Sequence, residues 1–84
     1  MTDLSSHEAF LTALRTVDGL TERGKTGGHF YAGSRPVIHF HGTGADRCAD
    51  LRRTRTSDWE RLPAATPEDR AALLDAVRRV IGTP

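Results

Sequence analysis

The chain has a single cysteine, five aromatic side chains and, among its twelve basic residues, a single lysine. Each scarcity closes off a class of protein. Cys48 can form no internal disulfide, so a disulfide-stapled secreted domain is excluded and a reducing cytoplasm is the default expectation. With eleven acids against twelve bases the net charge is +1, too little to draw the whole molecule to nucleic acid or to a membrane surface. No apolar run approaches the ~20 residues of a membrane span, and the opening MTDLSSHEAF lacks the basic and apolar regions of a signal peptide. Apolar mass is scarce too, at 37% of 84 residues. A single domain over residues 1–84 is expected, with a core lean enough that homo-oligomerisation would help it.

One motif invites a function at once. GLTERGKT, residues 19–26, fits the phosphate-binding pattern G-x-x-x-x-G-K-[ST] letter for letter. A working P-loop follows a buried strand and opens into a helix, whose N-terminus and backbone N–H groups hold the phosphates. Here a helical pattern precedes the match and a Gly-Gly-strand pattern follows it. The motif is therefore expected to be a decoy, with no nucleotide held through Lys25.

Hydrophobic periodicity supplies the architecture. Ser5-Ser6-His7-Glu8 has capping-box spacing with Ser5 as N-cap. Phe10, Leu14 and Val17 then recur at helical intervals and predict a helix over roughly 5–18. TERGKTGG, residues 21–28, predicts a polar connection. From His29 the period becomes two: His29–Gly33 and Val37–His41 predict two strands joined through Ser34-Arg35-Pro36, and Cys48–Arg52 a third. Residues 54–65 predict a short fourth strand or a turn, with Trp59 as a core anchor. Thr66-Pro67-Glu68-Asp69 opens a second helix, with Leu73, Leu74, Val77, Val80 and Ile81 along one face. The fold class is α+β, with both helices on one face of a three- or four-stranded antiparallel sheet.

A three-residue hairpin loop pairs Phe30 with Phe40 and Ala32 with Ile38 on the core face, Tyr31 with His39 and His29 with His41 on the other. The third strand turns Ala49 and Leu51 inward and sends Cys48, Asp50 and Arg52 out beside the histidines. These residue types suit ligand work. His39 and His41 can share acid and base roles while Asp50 fixes a tautomer, and His29, Tyr31, Cys48 and Arg52 can line a binding surface around them. Imidazole, thiolate and carboxylate also suit zinc, copper or nickel. No CxxC or HExxH spacing accompanies them, however, so neither a metal nor a cofactor is assigned. The same face could equally be solvated or buried against a second copy.

The run GGHFYAGSRPVIHFHGTGADRCADLR, followed by WERLPAATPEDRAALLDAVRRV, resembles the small luciferase-domain family of short, largely uncharacterised proteins. A glycine-led strand, an H-x-H pair and a later Asp-plus-aliphatic strand recur there in this order, over residues 27–81 here. The resemblance implies this fold and places family interest on His39, His41 and Asp50; it names no substrate.

Small-ligand binding at the histidine face, with acid–base chemistry, is thus the leading expectation. A non-catalytic interaction or dimerisation module is the alternative. Nucleic-acid binding through Arg47, Arg52, Arg53 and Arg55 ranks below both, because Asp46, Asp50 and Asp58 dilute the patch and charges on a sheet edge serve to block edge pairing.

Overall fold

A computed structural model describes residues 2–24 and 27–82. Helix α1 (His7–Arg15) leads into strands β1 (Thr21–Arg23), β2 (His29–Ala32) and β3 (Arg35–His41). After a 3-10 turn at Gly44–Asp46 come β4 (Cys48–Leu51), β5 (Glu60–Pro63) and helix α2 (Pro67–Gly82). The strands form one antiparallel sheet in chain order, β1-β2-β3-β4-β5. The α+β class and the single helix-covered face are as expected; the strand count is five rather than three or four.

Both helix starts follow capping chemistry. Ser6, one residue later than expected, is the N-cap of α1, its Oγ accepting from the Ala9 N–H at 3.0 Å. The helix ends at Arg15 rather than 18, where the N–H groups of Thr16 and Val17 donate to the carbonyls of Ala13 and Leu14. At α2, Thr66 Oγ1 accepts from the Asp69 N–H while Asp69 Oδ2 accepts from the Thr66 N–H, both at 3.1 Å. This is a reciprocal capping box with Asp in the third position.

Strand β1 lies inside the stretch expected to be a loop. Thr21, Glu22 and Arg23 pair with Tyr31, Phe30 and His29. Glu22 is fixed from outside the sheet, accepting from Arg15 at 2.7 and 3.1 Å and from the Gly28 N–H at 2.8 Å. A strand therefore occupies the middle of the P-loop match, where a phosphate-binding loop would have to curl. Lys25 and Thr26 of that motif lie outside the described residues.

The β2–β3 hairpin also differs from its expected register. The loop is two residues, Gly33-Ser34, with Gly33 at φ +65°, a left-handed conformation that glycine adopts without strain. Phe30 consequently pairs with Ile38 and His29 with His39, while Tyr31 pairs with Pro36. Val37 is left over as a bulge. A proline inside a central strand cannot donate to its ladder, and a bulge beside it is where a sheet tolerates one. The bulge turns both Val37 and Ile38 inward, at 0% and 1% exposure.

The core lies between the sheet and the two helices. Phe10, Leu14, Phe30, Ile38, Leu51, Leu73 and Val77 are fully buried within it, each contributing on the order of 1.5–3 kcal/mol by removal from water. Phe40 sits at its margin, half-buried, edge-on to Phe10 and His7 at 5.6 and 5.0 Å. Arg70, buried on α2, donates to the carbonyls of Leu4 and Ala65 and so ties the chain's first residues to the second helix.

Candidate functional site

Direct cross-strand partners share a sheet face, and the register builds one continuous row across all five strands: Arg23, His29, His39, Asp50, Arg61. The neighbouring residues Phe30, Ile38, Ala49 and Leu51 fill the core, so this row stands on the face away from the helices. His41 lies two residues beyond His39 on β3 and opposite Cys48, on the same side.

Asp50 is the hub. Its Oδ2 lies 3.0 Å from His41 Nε2, in a hydrogen bond, and 3.2 Å from His39 Nε2. Arg61 donates to both of its oxygens, Nε to Oδ1 at 2.9 Å and a terminal nitrogen to Oδ2 at 3.1 Å. The planar guanidinium matches a carboxylate in this two-pronged way, which fixes orientation as well as charge. Around the hub the rings close up. His39 stacks on His29 at 5.6 Å, meets His41 edge-on at 4.8 Å, and is covered by Trp59 at 4.5 Å.

Charge follows from these contacts. The Arg61 hydrogen bonds, with its charge and those of the histidines, outweigh desolvation and hold the Asp50 carboxyl down at about 2. Asp50 is therefore an anion at neutral pH and can only accept hydrogen bonds. It follows that His41 carries its hydrogen on Nε2, leaving Nδ1 as the basic nitrogen. Burial pushes His39 below its ordinary 6.5, helped by the His41 charge and opposed by Asp50, so its ring is neutral at pH 7. The two imidazoles differ in access: the His39 side chain is 20% exposed beneath Trp59, the His41 side chain 46%.

The expected residues divide accordingly. His39, His41 and Asp50 come together and His29 joins them by stacking. Tyr31, though on the same face of β2, is paired one row away and covered by the Arg23 guanidinium at 5.0 Å. Cys48 stands half-buried opposite His41 at the rim, its thiol free. Arg52 donates to the carbonyls of Ser57 and Arg55 in the β4–β5 connection. Of the other clustered arginines, Arg53 pairs with Glu60 at 2.8 Å.

Two members of the site were not expected there. Trp59 is no core anchor; it is 39% exposed and lies over His39. Arg61 was overlooked in a stretch of unclear structure, although a strand that turns Leu62 inward must send Arg61 outward to the face of Asp50. No family model, curated protein or solved structure matches the chain.

Proposed function

We propose that the open sheet face is a small-ligand site with acid–base capability, centred on His39, His41 and Asp50. One observation carries the reading: a single carboxylate oxygen serves two imidazoles while an arginine clamps the same carboxylate. Such an arrangement fixes the His41 tautomer and presents its Nδ1, the more exposed of the two rings, as a proton acceptor. Trp59 supplies an apolar wall against the neighbouring His39. The chemistry suits a planar ligand that brings an acidic proton, such as a phenol, and the resemblance to the luciferase-domain family falls on the same three residues.

The test is an NMR titration with simple phenols at millimolar concentration. The reading expects shifts centred on His41 and the Trp59 indole N–H that vanish in a folded His41→Ala variant. Shifts confined to other parts of the surface, or none across the series, would contradict it.

A second reading rests on Trp59, among the described residues the exposed large apolar side chain, on a face that the helices leave open. That face would instead bury against a second copy of the chain, giving a cytoplasmic homodimer in place of a ligand site. Stability that rises with protein concentration, and loses that dependence in Trp59→Ala, would favour it.

A further inference from the structure

We infer that His39, His41 and Asp50 bind one divalent transition-metal ion of the zinc, cobalt or nickel type. The inference rests on the reading of this cluster as a ligand site, though not on its acid–base role.

Geometry carries the argument. One ligand atom from each residue can be chosen so that all three lie within 4.8 Å of one another. The Nε2···Oδ2 separations of 3.0 and 3.2 Å are a few tenths of an ångström short of the spacing between ligands about 2.0–2.2 Å from one metal. Small side-chain rotations open that gap. The backbone supplies preorganisation, since His39 and Asp50 are direct cross-strand partners and His41 is the next outward residue on β3. Arg61 stands behind the carboxylate as the hydrogen-bonding support that metal-ligating carboxylates need.

The donor set selects the metal. Two imidazoles and one carboxylate suit zinc-like ions, and the low oxygen count argues against calcium and magnesium. Three protein ligands leave a coordination position on the side of the exposed His41 ring, which gives the ion an entry path and room for a water. The proton balance is simple. On binding, the ion takes the Nε2 lone pairs of His41 and His39; the hydrogen on each Nε2 is released and a proton is taken up at each Nδ1, so both rings change tautomer with no net proton released. The Arg61 cation beside the carboxylate opposes a second positive charge, so binding is weaker than at a four-ligand structural zinc site.

Tag-free protein, stripped with EDTA and dialysed, is titrated with zinc chloride by calorimetry and with cobalt chloride by visible absorption. One saturating equivalent per chain is expected, with a cobalt d–d band that zinc abolishes. His39→Ala, His41→Ala and Asp50→Asn should each weaken zinc binding by about tenfold or more; Asp75→Asn, at an exposed position of α2, should leave it unchanged. In long-range ¹H–¹⁵N spectra the His41 hydrogen should move from Nε2 to Nδ1 as zinc is added. Absence of a one-equivalent isotherm overturns the inference, as does undiminished binding by all three ligand variants. The two proposals fail separately: if phenols still shift His41 while zinc does not bind, only the metal site falls. If zinc binds and phenols do not, the acid–base reading falls instead.

Discussion

Arg61 grips both carboxylate oxygens of Asp50 across the β4–β5 pair, at 2.9 and 3.1 Å, while its own side chain remains 64% exposed. The arrangement couples the site to acid stability. With Asp50 held at about 2 against an ordinary 3.8, the folded state keeps a charge that the unfolded chain loses first. That contribution is complete above pH 4 and disappears as the pH falls through about 2. Because the Arg61 end is solvated, it is worth on the order of 1 kcal/mol. His39 acts in the same direction at higher pH. Its neutral ring favours the folded state above about 6.5, and the advantage is lost as the pH drops from there toward its depressed folded value.

Urea melts in EDTA at pH 7, 5, 3 and 2 measure both effects. Wild type should lose stability in two stages, and Arg61→Gln should be less stable than wild type at pH 7, by a margin that shrinks as the pH falls toward 2. A difference that persists unchanged at pH 2 would show that Arg61 acts through something other than ionised Asp50.

Core and face should respond differently to truncation. Phe30 is 1% exposed between sheet and helices, so Phe30→Ala should cost about 3–5 kcal/mol. Phe40, half-buried at the margin against Phe10 and His7, should cost less, about 2–3 kcal/mol. His41→Ala should stay near half a kcal/mol, the scale of an exposed position. Equilibrium urea unfolding of the three variants checks the order. His41→Ala as costly as Phe30→Ala would place that ring in the core.

Gly42, immediately after His41, has φ +77°, and a Cβ there would sit 2.6 Å from the Asp46 carbonyl oxygen. Both the conformation and the contact oppose any side chain. Gly42→Ala should therefore destabilise the fold by about 1–3 kcal/mol and disturb the end of β3 that carries His41. By contrast, Gly33→Ala meets only the conformational penalty, because no atom lies within 4 Å of its Cβ position. Thermal melts in which Gly42→Ala proves the milder of the two would contradict the clash.

The histidine face was legible in the sequence for a reason of parity. The real turn, Gly33-Ser34 in place of Ser34–Pro36, moves the pairing of Tyr31 and Ala32 by three residues, and the Val37 bulge takes one back, so His29 and Phe30 are shifted by two. A two-residue shift changes partners but leaves each side chain on its face. His29, His39 and Phe30 thus kept their sides even though every expected pair was wrong. Helix α2 was legible because Thr66, Pro67 and Asp69 are local capping signals that need no tertiary information. Strand β1 was not. Thr21-Glu22-Arg23 has no apolar alternation; pairing to β2 and the bonds Glu22 accepts from Arg15 and Gly28 hold it extended. Trp59 misled for a related reason: an apolar ring reads as core, whereas here it covers a neighbouring imidazole on the outer face.

The most direct measurement is of the His41 tautomer in metal-free protein at pH 7.5, by long-range ¹H–¹⁵N correlation on ¹⁵N-histidine-labelled chain in EDTA. Asp50 can accept but not donate, so the His41 hydrogen should reside on Nε2, with Nδ1 showing the nitrogen shift of an unprotonated, basic site. In Asp50→Ala that preference should relax toward the mixture of a free imidazole, with the fold retained. A His41 hydrogen on Nδ1 in the wild type, or a tautomer indifferent to the loss of Asp50, would contradict the claim that this carboxylate organises the site.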